Sequence, residues 1–182
     1  MNVAMKKVLL KNGKECILRS PKAMDAQNLI EYMKKTAEES TFLLRYPEEV
    51  DMTVEDEAYF IHGMNESPDS FMILAEVDGR LAGNCSLSAL GSRIRMKHRC
   101  NIAIALYEEF CSQGIGKAMM EYLLEEAKNM GFEQAELEVV ARNERAIALY
   151  QKLGFKTVGI IPNAMKHKDG SYESLLMMVK AL

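Results

Sequence analysis

Two short apolar runs, Val8-Leu9-Leu10 and Cys16-Ile17-Leu18, flank Lys11-Asn12-Gly13-Lys14 near the start of the chain. Asn-Gly between such runs predicts a β-hairpin, because both residues tolerate positive φ. After Ser20-Pro21 the period changes. Ala26, Leu29, Ile30, Met33 and Ala37 recur at helical spacing, predicting a helix to about Glu39 with Asp25 or Ser20 as N-cap. Thr53-Val54-Glu55-Asp56 resembles a capping box with Asp in place of Glu, so a second helix starts there, carries Tyr59, Phe60 and Met64, and stops near Ser67-Pro68.

The middle of the chain turns extended. Phe71-Met72-Ile73-Leu74-Ala75-Glu76-Val77, Asp78-Gly79 and then Arg80-Leu81-Ala82-Gly83-Asn84-Cys85-Ser86-Leu87 predict a second hairpin. A strand over 100–106 leads into a helix over 114–130, with Met119, Met120, Leu123, Leu124 and Ala127 on one stripe and Gly131 as its stop. A strand at 135–140, a helix over 143–153 stopped by Gly154, a strand at 155–161 and a last strand at 172–179 follow, the last after the turn Lys168-Asp169-Gly170. No fixed-period repeat or Pro/Gly/Ser-rich linker divides the chain, so residues 1–182 read as one α+β domain.

With 48% hydrophobic and 27% charged residues, the 182-residue chain can build a substantial core. Against 26 Asp+Glu stand 23 Lys+Arg, a net charge of −3, which denies it the basic footprint of a dedicated nucleic-acid binder. Cys16, Cys85, Cys100 and Cys111 are too irregularly spaced for a zinc motif or a disulfide framework, and fit free thiols in a reducing cytosol. Neither a signal-peptide apolar region nor an apolar run of about 20 residues is found, so the expectation is a soluble, cytoplasmic protein without membrane contact.

Candidate chemistry lies first in Cys111-Ser112-Gln113-Gly114-Ile115-Gly116-Lys117, between a predicted strand and helix. Glycines let the backbone turn tightly and approach a ligand, while the unsatisfied N–H groups of the helix start converge with the positive end of its dipole. That makes an anion cradle, although an ordinary tight turn produces the same letters. A third glycine with a downstream acidic residue is missing, as is the Gly-Lys-Ser/Thr of a triphosphate loop, which argues against NAD and ATP. Downstream, Asn143, Ala146 and Tyr150 share a helical face at i, i+3 and i+7, the small Ala leaving room between a polar cap and a phenol. By itself Tyr150 reads better as a core-edge aromatic with a solvated hydroxyl.

Taken together, Gln113-Gly114-Ile115-Gly116, preceded by Ile104-Ala105-Leu106-Tyr107-Glu108-Glu109-Phe110 and followed by Asn143-x-x-Ala146-x-x-x-Tyr150-x-Lys152-x-Gly154-Phe155, resemble the GNAT superfamily of acyl-CoA-dependent N-acyltransferases. Phe42-Leu43-Leu44-Arg45-Tyr46-Pro47-Glu48-Glu49 is similar to a group of bacterial members. The resemblance implies a mixed, mostly antiparallel sheet splayed in its middle, with helices on both faces. It implies a cytoplasmic, metal-free acyltransferase that takes acetyl-CoA as co-substrate and acetylates a primary amine on a small molecule, a protein N-terminus or a lysine. Ile104, Ala105 and Leu106 would bind the pantetheine arm, and Cys111, Ser112, Gln113, Gly114, Ile115, Gly116 and Lys117 the pyrophosphate. Asn143, Ala146, Tyr150 and Lys152 would complete the cofactor site. The family pattern opens its loop with Arg or Gln where Cys111 stands here, and Ser112 replaces a frequent glycine, adding a hydroxyl donor. A homodimer is a further expectation from the resemblance, and a non-catalytic acyl-CoA-binding regulatory module is the alternative reading.

Acetyl transfer from a thioester needs a neutral amine beside the carbonyl, a donor for the developing oxyanion and a proton for the leaving thiolate. The resemblance assigns the oxyanion to an N–H near Leu106. Tyr150, neutral at pH 7, is the catalytic proton donor to sulfur, so Cys111 need not be a nucleophile. The general base stays open among Glu76, Glu138 and a water chain, since no carboxylate lies on residues 100–106. Arg45 and Tyr46 are candidates for the acceptor pocket, and the basic run Arg93-Ile94-Arg95-Met96-Lys97-His98-Arg99 reads as a solvated hairpin tip.

Overall fold

Asp78 and Gly79 both take positive φ, 52° and 74°, the two-residue geometry that folds a strand back on itself with the right twist. They join β3 (Ser70–Val77) to β4 (Arg80–Ala89) as the central hairpin. Around it lie β1 (Lys6–Leu9), β2 (Glu15–Arg19), α1 (Ala26–Glu39), α2 (Val54–Glu66), β5 (Arg99–Leu106), α3 (Ile115–Asn129), β6 (Gln134–Val140), α4 (Glu144–Lys152), β7 (Lys156–Lys166) and β8 (Tyr172–Ala181). The computed structural model describes all 182 residues. Its eight strands form one sheet in the order β1-β2-β3-β4-β5-β6-β8-β7, in which β5 and β6 are parallel and every other pair antiparallel.

Alternation along the strands divides the core between two faces. Phe71, Ile73, Cys85, Leu87, Ile102, Leu137 and Val139 pack with Met119, Met120, Leu123 and Tyr150 of α3 and α4. On the other face Met72 and Leu74 meet Leu29 and Tyr32 of α1 and Ile61 of α2. This is the expected α+β sandwich with helices on both faces. None of the helices is long and apolar enough to cross a membrane, and the four cysteines are free, three of them buried.

The caps show where local signals prevailed. Thr53 accepts from the Asp56 N–H and Asp56 accepts from the Thr53 N–H, the reciprocal box expected for α2. At α1 neither expected cap operates. Asp25 stands at the N-cap position, but its carboxylate accepts from the Arg19 guanidinium at 2.7 and 2.8 Å and from the Lys22 N–H at 2.6 Å, while Ser20 Oγ accepts from the Val3 N–H. A tertiary ion pair thus replaced the cap. The strand expected over 155–161 continues to Lys166, because a register shift between Ile161 and Met165 carries Pro162 and the positive-φ Asn163 past the pairing with β8. The basic run forms turns ahead of β5, with Arg99 already inside the strand and paired to Glu136.

Candidate active site

The site is a gap in the sheet. Parallel pairing of β5 with β6 ends at Asn101↔Glu136, whereas β5 stays paired to β4 as far as Leu106↔Gly83, and β6 to β8 as far as Val140↔Leu175. Residues 102–106 and 137–140 therefore diverge, and one backbone edge of β5 faces a wedge instead of a partner strand. One side of the wedge is closed by buried Ile102, Leu137 and Val139. On the α1/α2 side Asn101, Ala103 and Glu138 are exposed, so the wedge opens there.

Between β5 and α3 the chain makes a short 3-10 turn at Glu108–Phe110 and then two residues of positive φ, Ser112 at 62° and Gly114 at 91°. Gly114 occupies the N-cap of α3, where an L side chain would strain the backbone. The first intrahelical bond runs from the Ala118 N–H to the Gly114 carbonyl at 3.0 Å, leaving the N–H groups of Ile115, Gly116 and Lys117 without a backbone acceptor at the end of the wedge. A Cβ on Gly116 would touch Leu106 and Leu149 at 3.5 Å, so this glycine seats the helix start against both β5 and α4.

Side chains of the loop are disposed unequally. Ile115 is fully buried in the core and offers the loop only its N–H. Gln113 donates to the Glu109 carbonyl at 2.7 Å and accepts from Asn12 at 3.0 Å. Ser112 is exposed, and Lys117 is exposed with Glu121 at 3.4 Å. The Cys111 thiol points back to the Tyr107 carbonyl at 3.5 Å, and burial raises its pKa, which keeps it protonated.

Across the wedge, Asn143 caps α4 by accepting from the Ala146 N–H at 3.2 Å. One turn further Tyr150 is only 7% exposed, its ring edge-on to Phe155 at 6.0 Å. The hydroxyl makes no hydrogen bond to protein and is not sealed from solvent, so the residual exposure of Tyr150 reaches its oxygen. Burial, with the neighbouring Cys85 thiol as a second cause, pushes the phenol up to about 12. It therefore stays a proton donor across the neutral range. Lys152 is exposed on the last turn of α4.

The two carboxylates considered as bases are treated differently by the fold. Glu76 is ion-paired with Arg19, which also holds Asp25. Glu138 is exposed on the open side of the wedge and forms no ion pair. Arg45 and Tyr46 sit in the connection between α1 and α2, lining a cleft with Lys166 and His167 of the β7–β8 end.

Three residues of the site carry no motif signal. A Cβ on Gly83 would stand 2.5 Å from the Ala105 carbonyl oxygen, so the β4–β5 approach beside the wedge requires glycine. Cys85 lies fully buried beside Tyr150. Arg142, just after β6, donates to Thr41 Oγ1 at 2.8 Å, pairs with Glu173 and stacks on Phe42 at 4.8 Å, tying the α1–α2 connection to the wedge. Each depends on a contact between segments far apart in sequence.

Comparison with known proteins points one way. The model of the acetyltransferase (GNAT) family matches residues 28–155. The [ribosomal protein bS18]-alanine N-acetyltransferase of Escherichia coli strain K12 is 38% identical over 74 residues, 41% of this chain and 50% of that protein, so the match spans about half the relative's length. An N-alpha-acetyltransferase of Sulfurisphaera tokodaii is 27% identical over 172 residues, covering 89% of this chain and 93% of that one. Among solved structures, a GNAT-family acetyltransferase from Streptococcus pneumoniae superposes with a TM-score of 0.87 at 24% identity, covering 92% of this chain and 99% of the other. A putative acetyltransferase from Salmonella typhimurium, solved with its cofactor acetyl-CoA, gives 0.79 at 16% identity over 92% and 94% of the two chains.

Proposed function

The chain belongs to the acetyltransferase (GNAT) family, and from that premise we propose that it transfers acetyl from acetyl-CoA to a primary amine, on a small molecule or on a protein N-terminus or lysine. One arrangement supports this reading: a wedge between β5 and β6, unpaired N–H groups at the start of α3 beyond the end of β5, and on α4 a Tyr150 hydroxyl free of protein partners. The N–H groups of residues 115–117 suit a pyrophosphate, and the free edge of Ile104, Ala105 and Leu106 suits the amides of a pantetheine arm. Asn143 and Ala146 border the same space from α4.

Bound acetyl-CoA supplies an activated thioester. The amine would approach from the open side, where the exposed Glu138 would take its proton directly or through water. As nitrogen bonds to the acetyl carbon, an N–H at the end of β5 near Leu106 steadies the oxygen. The carbon–sulfur bond then breaks, and Tyr150 gives the departing sulfur its proton. Glu76, committed to Arg19, is not used.

Calorimetric titration with acetyl-CoA, followed by a panel of amines with free-thiol release monitored, tests the proposal. Micromolar binding with amine-dependent release supports it. Binding without release would favour a regulatory module, and no binding would reduce the glycine loop to a turn.

A further inference from the structure

The cleft between the α1–α2 connection and the β7–β8 end has an uneven charge balance. Ser40, Thr41, Arg45 and Tyr46 from the α1–α2 connection face Lys166 and His167 from the β7–β8 end, with three apolar side chains completing the wall and no carboxylate among the lining residues. Cations at its mouth fall into two kinds. Arg142 is satisfied by Glu173 and Thr41, and Lys168 by Glu48. Arg45 is in no ion pair: its guanidinium hydrogen-bonds only the Met33 sulfur at 3.3 Å, while its charge is felt by Glu57, buried on α2. Lys166 has no acidic partner and lies over the Tyr172 ring at 5.6 Å. His167 Nε2 is buried without a hydrogen bond, and the Glu173 oxygen that Arg142 engages stands 3.6 Å from it, within ion-pair range.

Resting on the acetyltransferase reading, we propose that this cleft binds a carboxylate carried by the acceptor amine, with Arg45 as its principal counter-charge and Lys166 as a further partner. Arg45 and Lys166 line one cleft without an acidic hydrogen-bond partner, and so offer cationic donors that the protein leaves free. The cleft holds about 70 Å³, room for a carboxylate or a few waters but not for a whole peptide. Thr41 in its wall accepts from Arg142, the residue preceding Asn143, which links the cleft to the start of α4. The acceptor class is therefore a primary amine with a carboxylate a few bonds away, present either in a free amino acid or in the acidic second residue of a peptide.

Matched pairs test this with thiol release: free amino acids against their amides, and peptides with Asp or Glu in second place against Asn or Gln. Acids preferred by about tenfold or more in kcat/KM support the proposal, and the pair that shows the preference identifies the source. Arg45→Gln should collapse the preference, while Lys168→Ala, whose ammonium is already paired with Glu48, should keep it. Calorimetry of N-acetylated acids against their amides, without acetyl-CoA, reads the cleft independently of catalysis. Binding of the acids that Arg45→Gln abolishes would uphold the cleft even if no amine were acetylated. Turnover and binding indifferent to the carboxylate, or a preference unaffected by Arg45→Gln, would overturn it.

Discussion

Gly83 and Leu106 face each other across β4 and β5 so closely that a Cβ at position 83 would lie 2.8 Å from Leu106 Cγ and 3.0 Å from its Cα. Leu106 ends β5 at the wedge, so the absent side chain sets how far that strand bends toward β4. Gly83→Ala must move backbone, and overpacking of this kind costs about 1–3 kcal/mol. Denaturant unfolding should show that loss, and calorimetry a weaker affinity for acetyl-CoA. Wild-type stability would mean that β5 can shift freely.

Gly114 poses a different problem, since nothing lies within 4 Å of its missing Cβ and the difficulty is its φ of 91°. Gly114→Val places a β-branched residue in the left-handed region at a cost of about 1–3 kcal/mol. The helix start should reorient and acetyl-CoA affinity fall at least about tenfold. Gly114→Asn, a residue that tolerates this conformation, should retain most of the binding. Equal loss in both variants would point to obstruction of the loop and not to backbone strain.

Acid stability should report the Arg99–Glu136 pair, which joins β5 to β6 just before they separate. The Arg99 guanidinium holds the Glu136 carboxyl below its ordinary range, against the opposing effect of burial. A depressed folded-state pKa stabilises above the unfolded value near 4.3 and is lost as pH falls through the folded value. Unfolding midpoints should therefore drop as pH falls below about 5, and Glu136→Gln should flatten part of that slope. An unchanged slope would assign it to other carboxylates, such as Asp25.

Elevation of the Tyr150 phenol to about 12 bears on the alkaline side of the rate profile. Ionisation of Tyr150 should impose no fall in kcat below about pH 10. An alkaline limb near pH 8 to 9 that vanished in Tyr150→Phe would contradict the environment described for this side chain.

Much of the fold was legible in local signals: Asp78-Gly79 closes its hairpin, Thr53 and Asp56 cap their helix, and Gly131 and Gly154 follow α3 and α4 in positive φ. These features need only a few neighbouring residues. Asp25 departed from expectation because Arg19 competed for the same carboxylate. The continuation of β7 past Pro162 depended on β8 supplying pairing beyond the register shift. Within the candidate site, the glycine loop and the face shared by Asn143, Ala146 and Tyr150 could be picked out by spacing alone. Gly83, Cys85 and Arg142 did not, because their partners are Ala105, Tyr150 and Thr41, each on a different element.

The central claim is that Tyr150 supplies the proton to the leaving sulfur, and single-turnover thiol release by Tyr150→Phe, with acetyl-CoA affinity measured on the same preparation, tests it most directly. The expected result is a fall in the chemical rate of about a hundredfold or more with affinity nearly unchanged. A rate close to wild type would show that another group protonates the thiolate and would remove Tyr150 from the chemistry.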